Sequence, residues 1–423
     1  MKKKLIVIGG GFAGIQFIKK LDPKWFDVLL IDKINHHQFQ PLFYQVATSQ
    51  LEPSSISFPL RNIFKGRENF QIRLAEVLSI ERDNSKINTT IGEFEFDYLV
   101  IAIGCKTNFF GNSEIAKNVL TLKTTNDAIN IRNSILQTFE KVISADLETK
   151  ESLLNLVIVG AGPTGVELAG AFAEIRTNIL PKDYPGIDFS KFKIILVEGS
   201  KNTLNTMSKN AKIKSQLYLE KMGVTILTET FVNNYDGINL SFKDGKTIKT
   251  KNVIWAAGVT GNRIDGFSGE MYGVTNRLKV DRSNLIIGTC NIYAIGDIAF
   301  METPLYPKGH PQLANVAVNQ ANNLANNLKR ILFSKKTIDF EYKDLGSLAT
   351  IGRNKAVVDL PFLKFSGYFA WVFWMFLHLM LILNIKNKLL IFISWAWAYF
   401  TKDTSLSLIF IQKNQKETQL NIK

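Results

Sequence analysis

Cysteine is nearly missing from this chain. Cys105 and Cys290 are the only two in 423 residues, and no C-x-x-C joins them. That excludes a disulfide framework and a cysteine-built metal site, and it fits a reducing compartment. Histidine is almost as scarce, at four residues. No apolar run reaches the ~20 residues of a spanning helix. The opening "MKKKLIVIGGG" imitates a secretion signal, but its apolar run is too short, so it reads as a first strand. Acidic residues are outnumbered, 37 against 51 basic, for a net charge of +14. Such a balance suits nucleic acid or an anionic membrane surface. Lys, Asn and Ile are abundant throughout, as an AT-rich coding sequence produces. No dense Lys/Arg stripe interleaved with aromatics appears, so no nucleic acid is expected. What is present is an ordered globular composition, 46% apolar and 11% aromatic, long enough for two or three domains.

The apolar run "KLIVI" leads into Gly9, Gly11 and Gly14, spaced G-x-G-x-x-G. A helix-compatible stretch follows, then a second apolar strand ending in Asp32. Gly9 makes the tight turn, Gly11 lets the backbone approach a diphosphate, and Gly14 lets helix and strand pack closely. The helix start offers N–H groups and the positive end of its dipole to phosphate. Asp32 stands where an acid accepts hydrogen bonds from a ribose.

"LNLVIVGAGPTGVELAGAFAEI" repeats this grammar with Gly160, Gly162 and Gly165, and the next strand ends in Glu198. The gap from Gly165 to Glu198 exceeds the usual ~20 residues, and "RTNILPKDYPGIDFSKF" reads as a loop insertion. A carboxylate at Glu198 bonds a free 2′-hydroxyl and repels a 2′-phosphate, which selects NAD over NADP. Glu167 is placed in the first helical turn after the glycines. There it is either an acid favoured by the helix dipole or a group aimed past the nicotinamide at the redox centre.

Two such units imply two dinucleotides, and the simplest use is a flavin that stays with a nicotinamide that comes and goes. Gly104, after "FDYLVIAIG", and Gly258, after "KNVIWAAG", are placed close to the backbones of the two nucleotides. "NIYAIGDIAF" sets Gly296 and Asp297 directly after a strand, where the carboxylate can reach a ribityl hydroxyl.

The segments "GGGFAG", "NHHQFQPLFYQVAT", "GPTGVELAGAFAE", "AAGV", "YAIGDIA" and "GSLATIGRNKAVVDLPFLKF" run nearly end to end. Together they resemble the type II NADH dehydrogenases, single-subunit NADH:quinone oxidoreductases of the pyridine nucleotide-disulfide oxidoreductase type. The resemblance implies FAD in the first unit, NADH as substrate in the second, and reduction of a membrane quinone, menaquinone or ubiquinone, without proton pumping. It implies proton or charge handling at Glu167. His36 and His37 pack beside the flavin on this reading, with Gln45 and Thr48 nearby, and bind no metal. Where the family carries A-Q-x-A-x-Q near the quinone, this chain reads "ANVAVNQA". Asn315 and Asn319 take the glutamine positions, one methylene shorter, while Gln320 faces another way on the helix.

After Pro361 the composition turns apolar. "GYFAWVFWMFLHLMLIL" (367–383) and "LLIFISWAWAYF" (389–400) flank "NIKNK". Their Trp and Tyr content suits the headgroup region, and Lys386 and Lys388 can reach anionic lipid. Helices lying in one leaflet are preferred over a single span and over a buried core or dimer helix; His378 reads as a polar tip at the interface. The expected architecture is therefore α/β. An FAD-binding domain covers 1–120 and 275–335, an NADH-binding domain 150–265, and an amphipathic membrane-anchoring module 340–423. "LKTTNDAINIRNSILQTFEKVI" is a helical connector. The expected place is the inner face of the cytoplasmic membrane, peripheral and monotopic, and the resemblance implies a homodimer. The rivals are disulfide-active flavoenzymes, rejected for want of a cysteine pair after the first helix, sulfide:quinone reductases, soluble ferredoxin or rubredoxin reductases, and a non-enzymatic redox sensor.

Overall fold

Two β-branched runs, each ending in a glycine loop, seed two parallel sheets of one design. The computed structural model describes residues 2–403 and 407–410; the end of the C-terminal module, expected to reach 423, lies outside them. The chain divides into two units. The first holds Met1–Gln38, Ser57–Asn108 and Val259–Leu345; the second holds Phe39–Ile56, Phe109–Gly258 and Gly346–Lys423.

In the first unit the strand Lys3–Ile8 lies at the centre of five parallel strands. Tyr98–Ile101 and then Ile292–Ala294 stand on one side, Phe26–Asp32 and then Phe70–Leu74 on the other. In the second unit Asn155–Val159 is central. It is flanked by Asn252–Trp255 and Leu120–Thr121 on one side and by Lys193–Val197 and Val224–Leu227 on the other. Every residue of Asn155–Val159 is buried, as a parallel strand covered on both faces requires. Each unit adds a three-stranded antiparallel meander: Val77–Glu81, Lys86–Thr89 and Gly92–Glu95 in one, and Val232–Tyr235, Asn239–Phe242 and Thr247–Lys249 in the other. The α/β expectation with two Rossmann-like halves and added antiparallel strands holds.

The stretch expected to be a loop after the second glycine motif is partly helical. The helix Pro163–Asn178 runs into it, and Leu180–Asp183 makes a further short turn. Pro181 sits at the start of that turn, where a missing N–H costs nothing. The connector forms the 20-residue helix Thr125–Ser144, closed at its start by a reciprocal Thr124–Asp127 capping box.

The C-terminal part opens with an antiparallel sheet of Ser347–Gly352, Lys355–Asp359 and Lys364–Ser366. It lies against the helix Pro163–Asn178 at Gly170, where a Cβ would stand 1.7 Å from the Ile351 carbonyl oxygen. Only glycine permits that approach. The helices Tyr368–Leu381 and Ile385–Thr401 follow. Among the described residues no helix is long and apolar enough to cross a membrane. Trp374, Ile391 and Trp395 face inward, while Phe369, Phe376, Phe392, Trp397 and Phe400 are exposed.

Candidate active site

The two glycine loops share one geometry. Gly9 has φ +105°, and a Cβ on Gly14 would lie 2.0 Å from the Gly9 carbonyl oxygen. The counterparts are Gly160, at φ +102°, and Gly165, whose Cβ would lie 1.8 Å from the Gly160 oxygen. By contrast Gly11 and Gly162 have no atom within 4 Å of a notional Cβ. Each is the N-cap of its helix and offers no side-chain cap to the first amides. An open backbone at an uncapped helix start is the cradle a diphosphate needs.

The strand-end acids also match. The Gly10 N–H donates to Asp32 Oδ2 at 2.5 Å and the Ala161 N–H to Glu198 Oε2 at 2.7 Å. Their other oxygens accept from Ile34 N–H at 2.9 Å and Ser200 N–H at 2.8 Å. Each carboxylate is thus held beside its glycine loop, half-buried. Burial pushes the Asp32 carboxyl up from its ordinary value. Gly104 (φ +65°) and Gly258 (φ +78°) follow equivalent strands, and no atom lies within 4 Å of a notional Cβ at Gly104. The Gly296 N–H donates to Gln320 Oε1 at 2.8 Å, and Asp297 Oδ2 accepts from the Cys105 thiol at 2.9 Å. In the first unit the fit to a dinucleotide such as FAD is therefore good: an open glycine cradle, a ribose acid and a carboxylate after the fifth strand. His37 is buried edge-on against Phe12 at 4.8 Å, and burial lowers it to about 4. Among the described residues no cluster fit for a metal occurs.

Gln45 and Thr48 fall in the second unit, on and just after the helix Phe43–Ala47. Thr48 Oγ1 donates to the Tyr44 carbonyl at 2.7 Å. Gln45 Nε2 donates to the Tyr44 hydroxyl at 2.8 Å, and Trp395 Nε1 donates to Gln45 Oε1 at 2.8 Å. Tyr44, Gln45 and Trp395 line a pocket of about 550 Å³, including the solvent at its mouth, that also exposes Glu167, Glu174, Arg353 and Trp374; Thr48 does not line it.

Glu167 is not in the first helical turn. Pro163 starts the helix directly after Gly162, which puts Glu167 beyond the free amides. Its residual exposure is to the cavity it lines. Burial pushes its carboxyl well above the usual range, offset in part by the Thr350 backbone N–H. Burial likewise holds the Tyr44 phenol well above its ordinary value, reinforced by Glu167 and Glu174. Glu174 is raised by burial too, against the Arg353 N–H that donates to it and the charges of Arg353 and Lys355. The Arg353 guanidinium donates to the carbonyls of Ala398, at 2.7 Å, and Tyr399, at 3.2 Å, which closes the end of the last helix. His378 is no free polar tip. It stacks on Trp374 at 3.9 Å, bonds the Trp374 carbonyl at 2.8 Å, and burial lowers it to about 4.

Asn315 is exposed and Asn319 half-buried on the helix Ala314–Leu332 of the first unit. Sequence reasoning passed over Tyr44 and Arg353, set Gln320 aside as facing another way, and read Trp395 only as a membrane-interface residue. The tryptophans carried only a membrane signal, and nothing local ties Gln45 to a residue 350 positions away.

Residues 3–321 match the pyridine nucleotide-disulphide oxidoreductase family model, and residues 345–402 match the NDH2 C-terminal domain. The type II NADH:quinone oxidoreductase Ndh of Mycobacterium tuberculosis is 31% identical over 420 residues, covering 95% of this chain and 89% of that one. The fold is similar to NDH2 from Plasmodium falciparum, solved in complex with NADH, with a TM-score of 0.88 at 24% identity over 96% of this chain and 100% of that one. The sulfide:quinone oxidoreductase of Aquifex aeolicus is a more distant likeness, with a TM-score of 0.70 at 18% identity over 95% and 96%.

Proposed function

The chain belongs to the family of type II NADH:quinone oxidoreductases, and from that premise we propose how its residues divide the work. The protein oxidises NADH through FAD and passes two electrons to a quinone without pumping protons. The redox chemistry, hydride acceptance from nicotinamide and two-electron delivery to quinone, is supplied by FAD when bound. Gly9, Gly11, Gly14 and Asp32 hold FAD at its diphosphate and ribose, with Gly104, Gly296 and Asp297 along its length. Gly160, Gly162, Gly165, Glu198 and Gly258 receive NADH.

The observation that carries the quinone assignment is the cavity around Glu167, with an aromatic wall and a carboxyl whose hold on its proton burial strengthens. Reducing a quinone to a quinol takes up two protons, and Glu167 holds one where the cavity meets it. Gln45 is fixed at both ends of its amide and shapes the wall. Asn315 and Asn319 are the second reading, favoured by the family motif but offering two amides with little enclosure. The exposed aromatic and aliphatic side chains of the last two helices support peripheral attachment to a bilayer. The inner face of the cytoplasmic membrane, where aqueous NADH meets lipid-borne quinone, is the assigned place, and a homodimer the assigned assembly.

Anaerobic titration tests this reading. NADH bleaches the flavin absorbance, and a menaquinone or ubiquinone analogue restores it. Bleaching without restoration by either quinone overturns the acceptor. Glu198→Ala raises KM for NADH roughly tenfold, the worth of about one hydrogen bond to a charged group, and relaxes discrimination against NADPH. An unchanged NADH:NADPH preference in steady-state kinetics removes the role given to Glu198.

A further inference from the structure

A second pocket, whose empty space of about 330 Å³ includes the solvent at its mouth, lies wholly within the second unit and shares no lining residue with the one around Glu167. Its one charged wall residue is Arg132, on the helix Thr125–Ser144. Arg132 is 1% exposed, and neither Nε nor Nη1 nor Nη2 has a hydrogen-bond partner among the described residues. Glu52 acts on it only through space. A guanidinium does not escape such a setting by losing its proton, and five N–H donors remain unmet in a medium that penalises them. A leucine or methionine would fill the position more cheaply if packing were its task.

The rest of the wall is instructive. Phe139, Phe172 and the neighbouring isoleucines and leucines supply most of it, with Thr48, Ser49 and Ser407 as the polar members. The Thr48 hydroxyl is already donated to the Tyr44 carbonyl. The Phe410 ring lies 5.1 Å from the guanidinium carbon. Phe410 is pinned there by Asn133, whose Nδ2 donates to its carbonyl at 2.7 Å and whose Oδ1 accepts from its N–H at 3.0 Å. Aromatic cover leaves the in-plane donor fork of Arg132 for a planar or tetrahedral anion. An inorganic anion alone would leave the apolar walls without a partner.

We propose that this cavity binds an anionic amphiphile, an acyl chain carrying a carboxylate or phosphate head, with Arg132 as the anchor of the head and the apolar walls around the chain. A neutral quinone has no use for the fork, so the ligand differs in class from the substrate. The helices Phe43–Ala47 and Pro163–Asn178 contribute to both cavities through different residues. Occupancy here therefore bears on the walls of the other. The inference does not rest on the quinone assignment.

The test uses the full-length, flavin-loaded protein stripped of lipid, followed by thermal unfolding and native mass spectrometry. The probes are decanoate, vesicles of phosphatidylglycerol, vesicles of phosphatidylcholine and inorganic phosphate. Decanoate or the anionic vesicles, whichever supplies the head, raise the melting temperature saturably; phosphate and the zwitterionic vesicles do not. Arg132→Leu abolishes the shift while keeping flavin content and NADH oxidation by ferricyanide, and without ligand it melts no lower than the wild type. Arg132→Lys keeps the charge without the fork and weakens binding about tenfold, which holds the test open should the leucine variant fold poorly. An equal shift in wild type and both variants overturns the proposal, as does no shift with any probe. A shift with phosphate as large as that with decanoate overturns the amphiphile and leaves a plain anion site.

Discussion

Gly14→Val yields a colourless protein. The added Cβ must occupy a point 2.0 Å from the Gly9 carbonyl oxygen, which is backbone and has nowhere to retreat. Gly9 is itself fixed at φ +105°, with its own Cβ direction 2.4 Å from the Ala102 oxygen. The helix Phe12–Lys20 must therefore move away from the strand Lys3–Ile8, dragging the loop out of shape. The cost exceeds ~4 kcal/mol, the range in which core strain ceases to be tolerated. Flavin absorbance after purification and the unfolding midpoint measure both consequences. Gly11→Ala is the control. No atom lies within 4 Å of that position, so the fold survives and only the approach of a diphosphate suffers. Gly165→Val carries the same strain into the second unit, 1.8 Å from the Gly160 oxygen. It leaves the first cradle intact and stops NADH from bleaching the flavin. A yellow Gly14→Val protein with full flavin content would refute the role given to the first loop.

The two glycine loops were legible because their logic is local. Strand, tight turn, open glycine and helix occupy about twenty consecutive residues, and each constraint is met by a neighbour in sequence. Asp32 and Glu198 were legible for the same reason, one strand further on. Glu167 was found but misplaced: Pro163 fixes the helix start, and that alone takes the acid out of reach of the uncapped amides. What joins it to Gln45, Thr350 and Trp395 is tertiary packing across hundreds of residues, and no periodicity records it. Arg132 shows the same limit from the other side. In an amphipathic connector helix its charge reads as solvent-facing, and only the packed structure reveals that the side chain is enclosed. His378 was assigned to an interface by composition, yet stacking on Trp374 takes it inward.

Glu167→Gln slows quinone reduction by roughly 100-fold, the lower end of what a placed general acid contributes, and leaves NADH oxidation by ferricyanide unchanged. Glutamine keeps an oxygen for the Thr350 N–H but has no proton to surrender to a quinone oxygen. The same substitution has a signature in stability that a merely structural side chain lacks. Burial raises the carboxyl above its unfolded value near 4.5. Above that pH the unfolded chain releases the proton while the folded chain still holds it. Folding stability attributable to Glu167 is therefore complete below about 4.5 and is lost as pH rises toward the folded value. Glutamine loses nothing over that window. The unfolding midpoint of the variant should thus exceed that of the wild type by a margin that is small near pH 4.5 and grows as pH rises toward the folded value. Wild-type quinone turnover, together with a pH-independent difference in midpoint, would return Glu167 to the status of an ordinary helix residue. Slowed turnover with a widening margin identifies the buried carboxyl as the proton source, because only a titrating group joins the two effects.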